Sequence, residues 1–129
     1  MLKLTPAIKK VLEGKNFAFL GTVMPDGSPQ VSAGWFEFDG EYIYMNTAKG
    51  RVKQRNTKRD PRVALAIVEQ ANPYSEVVVR GRVVAQLTKG AREHISQLSR
   101  KYTGKDYSPP PGQVRVTIKI KPERIIKTQ

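Results

Sequence analysis

The chain reads as short apolar blocks separated by polar, turn-forming stretches, and the spacing inside each block predicts its element. Thr5-Pro6 has the form of a helix N-cap followed by proline at the first helical position. Ile8, Val11 and Leu12 then fall on one face and Gly14 supplies a stop, so a short amphipathic helix is expected. From Asn16 to Val23 the run is apolar and rich in strand-favouring residues. Pro25-Asp26-Gly27-Ser28 follows as a turn, and a second extended run spans Pro29 to Phe38. Asp39-Gly40 marks another tight turn before Glu41 to Thr47, so these runs predict a meander of consecutive strands. Val63 to Glu69 is apolar on both faces, which predicts a central strand. Between Glu76 and Leu87, Val77, Val79, Gly81, Val83 and Ala85 alternate with Arg80, Arg82 and Gln86, the pattern of a long strand with one wet face. Strict alternation returns at Val114, Val116, Ile118 and Ile120 against Arg115, Thr117, Lys119 and Lys121. Pro122 is expected to open a last short strand through Ile125 and Ile126.

The intervening segments are polar. Ala48 to Arg62 has no apolar face worth burying and is expected to be a loop with a short helix ending near Asp60-Pro61. Gln70 to Ser75 reads as a loop, and Thr88 is expected to cap a helix running to about Tyr102 with Ile95 and Leu98 on its buried face. Thr103 to Gly112 contains consecutive prolines at 109–111 and reads as an exposed loop. Roughly six or seven strands with few helices do not suit a βαβ parallel sheet. The expected class is mainly β, an antiparallel Greek-key barrel, closed or split, and at 129 residues one domain over 1–129.

Composition narrows the chemistry. No apolar run approaches the roughly 20 residues that span a bilayer, and the N-terminal stretch lacks a signal-peptide core, so a soluble cytoplasmic protein is expected. With no cysteine, disulfides, thiolate zinc sites, iron–sulfur clusters and cysteine nucleophiles are excluded together. The balance of 23 basic against 11 acidic residues, a net charge of +12, calls for an anionic partner: nucleic acid, a phosphate-bearing cofactor or acidic lipid.

That charge is concentrated. Lys49, Arg51, Lys53, Arg55, Lys58, Arg59 and Arg62 stand within residues 49–62 against one acid, Asp60. Arginine offers paired donors matching phosphate oxygens and lysine a mobile point charge. On an extended backbone Arg51, Lys53 and Arg55 would point to one face and converge on one anion, with Thr47 and Asn56 adding neutral donors. Two other readings stay open at this point: a solvated basic loop, and a small β-barrel that binds single-stranded nucleic acid by charge and stacking. His94 sits among charged residues and is expected at the surface, without a metal or proton-transfer role. Trp35 is a candidate to line a pocket or simply to pack. Arg80 and Arg82 read as a solvated strand face, and Gly81 between them as a point of close backbone approach. Tyr107 with Pro109 to Pro111 reads either as a flap or as a loop without a role.

The order of the blocks adds a resemblance. A first strand with Gly21-Thr22, the hairpin Asp26-Gly27-Ser28-Pro29-Gln30-Val31-Ser32, a strand ending Phe38-Asp39-Gly40, and Thr47 to Asn56 followed by Arg59-Asp60-Pro61-Arg62-Val63-Ala64-Leu65 resemble the pyridoxamine-phosphate-oxidase-like family of flavin-binding split barrels. The likeness is closest to its short flavin- or deazaflavin-dependent oxidoreductase branch. It covers about half the chain closely and the C-terminal half loosely. It implies a homodimer with the cofactor, FMN or alternatively the deazaflavin coenzyme F-420, in a cleft at the subunit interface. By position, Arg51, Lys53, Arg55 and Asn56 match the family's phosphate-binding segment, Thr47 a strand end that adds a hydroxyl, and Gln30, Val31 and Ser32 the strand whose backbone faces the ring system. The resemblance assigns no catalytic residue or metal. The oxidases proper carry a longer C-terminal region that helps bind substrate, and the sequence to Gln129 offers no obvious equivalent, so pyridoxal-phosphate synthesis is not among the expectations. A non-catalytic flavin carrier on the same fold is the alternative to an enzyme.

Overall fold

A computed structural model describes residues 2–128. Its elements, in chain order, are α1 (Pro6–Glu13), β1 (Phe17–Val23), β2 (Pro29–Gly34), β3 (Phe36–Phe38), β4 (Ile43–Ala48), α2 (Val52–Arg59), β5 (Arg62–Glu69), β6 (Asn72–Leu87), α3 (Ala91–Thr103) and β7 (Arg115–Thr128). The strands form one antiparallel sheet in the order β2-β1-β5-β6-β7-β4-β3.

This order corrects the expected meander. The run Pro29 to Phe38 breaks at Trp35 into two strands, and β2 pairs with β1 while β3 pairs with β4, at opposite ends of the sheet. Only Trp35 separates Gly34 from Phe36, so those two ends lie within about 7 Å of each other. The sheet must therefore curl until its edges meet, which gives the half-barrel of a split-barrel fold. Tyr102 holds the junction: its hydroxyl donates to the Asn16 carbonyl at 2.6 Å and accepts from the Phe36 N–H at 3.3 Å. Its ring stacks on Trp35 with centroids 5.3 Å apart.

Strand alternation sends Leu20, Ile43, Met45, Leu65, Ile67, Val77, Val79, Ile118 and Ile120 into one core, which α1 plugs with Ile8, Val11 and Leu12. The Thr5 hydroxyl caps α1 by accepting from the Ile8 N–H at 3.2 Å, as its sequence foretells. β5 is central, yet only Val63, Leu65 and Ile67 are buried; Ala64, Ala66 and Val68 line an outer face that the chain leaves uncovered. The residues expected to be a loop before Glu76 instead begin β6 at Asn72, because the turn after Glu69 is tight and Asn72 is already in register with Glu69.

Pro122 does not start a new strand. β7 runs through it, because the register shifts beside Gly81 and a bulge tolerates a residue without an N–H. A side chain at Gly81 would put its Cβ 2.2 Å from the Lys121 carbonyl oxygen, so the close approach read from the sequence is real. α3 also begins later than expected. Its N-cap is Gly90 rather than Thr88, whose carbonyl only closes the preceding turn with the Ala91 N–H at 3.2 Å. No helix among the described residues is long and apolar enough to cross a membrane.

Candidate functional site

The curl leaves a seam. β2 has a strand neighbour on one side only, and β3 covers β4 at Ile43, Tyr44 and Met45 but not beyond. Gln30, Val31 and Ser32 therefore lie on a free edge, and Asn46, Thr47 and Ala48 pair with β7 alone. α2 sits at this end of the seam. A Cβ on Gly34 would lie 3.1 Å from the Met45 methyl and 3.7 Å from the Lys53 amine, which places that amine between the two edges.

α2 docks through amides and hydroxyls, consistent with its lack of an apolar face. Asn56 Nδ2 donates to Thr22 Oγ1 at 3.0 Å, and Gln86 Nε2 donates to Thr57 Oγ1 at 2.8 Å. Gln54 Nε2 donates to Gln86 Oε1 at 3.0 Å. Arg59 closes the arrangement by donating to the Val23 carbonyl and to Asn56 Oδ1.

The helix overturns the extended geometry expected for Arg51, Lys53 and Arg55. Residues two apart on a helix are turned by about 200°, so Lys53 and Asn56 face the barrel while Arg55 and Lys58 face away. Those two line a shallow hollow of about 430 Å³ with Lys49, Gly50, Gln54 and Arg59. Arg51 is the N-cap and is exposed. Asn56 is buried with its amide committed inside the fold, so it positions α2.

What remains at the seam is an unbalanced set of donors. Burial, then the charges of Arg51 and Arg115, push the Lys53 amine below the usual lysine value of 10.5. Burial, then Arg51, likewise lowers Arg115, and no carboxylate contributes to either shift. Thr47 is fully buried on the same inward face as Met45, and its hydroxyl has no hydrogen-bond partner. No side chain of Arg51 caps the first turn of α2; Gln54 Oε1 takes the Gly50 N–H at 2.8 Å instead. Free first-turn N–H groups, a lysine and an orphan hydroxyl are the donors that an oxyanion satisfies.

Two residues escaped sequence reasoning. His94 is 8% exposed, not at the surface. Its Nε2–H donates to Glu37 Oε1 at 2.8 Å, and Nδ1 accepts from Asn46 Nδ2 at 3.1 Å. The signal was present, since Ala91, His94, Ile95 and Leu98 follow helical spacing and all are buried. Arg115 stands in the sequence only as the polar partner in an alternating strand, but α3 covers that face and Arg115 Nε donates to Asn46 Oδ1 at 2.9 Å. No local signal marks it. Trp35 is half-buried against Tyr102 at the seam junction.

The match to known proteins is extensive. A family model described as pyridoxamine 5'-phosphate oxidase fits residues 4–129. A protein named F420 Reductase is 33% identical and superposes with a TM-score of 0.83 over 92% of this chain and 94% of its own. Conserved hypothetical protein Rv2991 from Mycobacterium tuberculosis, at 22% identity, has the same fold with a TM-score of 0.76 over 99% of this chain and 86% of its own. General Stress Protein 26 from Bacillus anthracis, at 18% identity, does so at 0.72 over 95% and 91%. With the seam, the curled sheet and the motif order pointing the same way, the chain belongs to the pyridoxamine 5'-phosphate oxidase-like family of split barrels.

Proposed function

We propose that this protein is an oxidoreductase that holds a flavin or deazaflavin by its phosphate at the seam, between two copies of the chain. The observation that carries the reading is the buried Thr47 hydroxyl without a partner, next to the capless first turn of α2 and the Lys53 amine. A phosphate there would accept from Thr47, Lys53 and the α2 backbone, with Arg51 at the rim. The ring system would lie along the free backbone edge of Gln30, Val31 and Ser32. Arg55 faces the outer hollow and meets any anion there. The bound cofactor would supply hydride chemistry, and the chain supplies orientation, charge and exclusion of water. Likeness to a protein named F420 Reductase supports the deazaflavin alternative to FMN.

The outer sheet face supports a second copy. Across β2, β1, β5, β6 and β7 the register aligns Ala33, Phe19, Ala66, Val78 and Ile126 in one apolar row. Phe19 remains 43% and Val31 63% exposed, an apolar surface of the kind that marks a protein interface. A second copy on it would wall the cleft beside β2. The test is titration of the protein with FMN and with coenzyme F-420, together with its mass in solution and that of Phe19→Asp. Tight binding of one cofactor by a dimer, weakened when Phe19→Asp separates the subunits, is expected. A monomer indifferent to both cofactors would remove the reading. Reduction and reoxidation of the bound cofactor by a substrate separates an enzyme from a carrier.

A further inference from the structure

The start of β7 holds a basic cluster that the phosphate cradle does not absorb. Arg115 alternates with the core residue Val116, so its side chain lies on the α3 side of the sheet, whereas Thr47 faces the core. Arg115 is 5% exposed, and its Nε and Nη1 donate to two neutral oxygens, Asn46 Oδ1 at 2.9 Å and Gln113 Oε1 at 3.1 Å. Asn46 is itself fixed by the Ala91 carbonyl at 2.9 Å and His94 Nδ1 at 3.1 Å, so the guanidinium is oriented in advance.

Two exposed arginines flank it. Ala48 is in register with Arg115, and the Arg51 N–H bonds to the Ala48 carbonyl at 3.2 Å, which brings Arg51 to its side. Arg92 reaches the Gln113 carbonyl at 3.4 Å and the Pro109 carbonyl at 3.3 Å. The charges of both bear on Arg115, opposed by Tyr107 of the arm and by no carboxylate.

We propose that Arg92 and Arg115 form a second oxyanion subsite beside the Lys53 cradle, with Arg51 between the two, and that residues 107–113 are the arm that covers it.

The arm is anchored unequally. Before it, Ser99 Oγ donates to the Lys105 carbonyl and Arg100 Nη1 to Asp106 Oδ1, both at 2.6 Å. From Tyr107 onward, Pro109 is buried against the body and the hydrogen bonds come from Arg92 and Arg115, the first pair long and all to neutral acceptors. Consecutive prolines stiffen the arm, and Gly112, at φ +82°, supplies the turn at its far end. A guanidinium bonds an oxyanion about twice as strongly as a neutral carbonyl. The anion therefore takes over the donors that hold the arm down, and binding opens it. The subsite does not depend on the flavin reading, since the oxyanion can belong to the cofactor's far end or to a substrate.

Inorganic phosphate, at constant ionic strength, is the probe, and chymotrypsin cleavage after Tyr107 reports the arm. Saturating phosphate is expected to speed cleavage of the full chain roughly fivefold or more. Arg92→Ala, a substitution at an exposed position, should be cut at the fast rate without phosphate and respond no further. Lys53→Ala should keep the response. Repeating the measurement on protein saturated with coenzyme F-420, whose tail carries carboxylates beyond its phosphate, assigns the source: a response already complete places the oxyanion on the cofactor's far end, and one still present places it on a substrate. Failure of F-420 to bind counts against the cofactor reading alone. Cleavage unmoved by phosphate, or a response lost in Lys53→Ala and kept in Arg92→Ala, overturns the proposal.

Discussion

Two buried polar regions lie a few residues apart on β4, and they are built to opposite rules. Under α3, Glu37, His94, Asn46 and Thr117 form a network in which each polar group meets another and a carboxylate accepts the imidazole N–H. At the seam, Thr47 has no partner and the charge of Lys53 is opposed by no carboxylate. The kinds of residue are similar, and what differs is whether the chain supplies both halves of each interaction. A closed network specifies and stabilises the fold. An open one leaves donors whose desolvation is recovered only when something from outside accepts from them.

The contrast is broken most strongly by deleting His94. His94→Ala removes a buried ring together with its bonds to Glu37 and Asn46, and is expected to cost about 2–4 kcal/mol of stability, measured by denaturant unfolding. FMN affinity, normalised to folded protein, should change little, because the cradle lies on the other face of β4. The pH dependence locates the pair. The hydrogen bond from His94 above all holds the Glu37 carboxyl below the usual value of 4.5, against the opposing effect of burial. A depressed carboxyl contributes stability above its unfolded value and loses it as pH falls through the folded one. The gap between the parent and Glu37→Gln should thus be flat at neutral pH and close as pH falls below the usual carboxyl value of 4.5; a gap that widens on acidification would refute the assignment.

Lys53→Ala should show the reverse pattern. Removing an amine that other cations already disfavour leaves stability level or slightly raised, while the loss of a charge-assisted bond weakens phosphate-bearing cofactor by about 1.5–3 kcal/mol, or roughly 10- to 150-fold. Riboflavin, which lacks the phosphate, should bind both proteins alike. Because the Lys53 pKa is lowered from 10.5, cofactor affinity should fall as pH rises before an ordinary lysine would deprotonate. Lys53→Arg should flatten that fall. Calorimetric titration across the alkaline range reads both effects.

The same contrast separates what was legible in the sequence from what was not. Thr5-Pro6 with Ile8, Val11 and Leu12, and the alternation along Val77 to Ala85, are local patterns, and they became α1 and the second half of β6. The basic segment was also visible, but its geometry was not. Gln54, Asn56 and Thr57 fold it as a helix by bonding to Gln86 and Thr22, partners 29 to 34 residues away in the chain. The break at Trp35 depends on the sheet curling back on itself, which no window of neighbouring residues contains. Arg115 was hidden for a similar reason, since an alternating strand looks wet on one side until a later or earlier helix is known to lie there. His94 is different: its helical spacing with Ile95 and Leu98 was present, and the surrounding charge obscured it.

The smallest change makes the finest test. Thr47→Val keeps the shape of the side chain and removes only a hydroxyl that has no partner within the chain. An unsatisfied buried hydroxyl costs roughly 1–3 kcal/mol, so the variant should be as stable as the parent or more so. If that hydroxyl donates to a cofactor phosphate, affinity should fall by about 1.5–3 kcal/mol. Stability and binding then move in opposite directions, which neither His94→Ala nor a general loosening of the seam produces. Thermal unfolding with and without saturating cofactor reads both at once: the melting point of the free protein holds or rises, and the rise on adding cofactor shrinks. A Thr47→Val protein that melts lower yet binds undiminished would mean the hydroxyl serves the fold, and the seam would then belong with the closed network under α3.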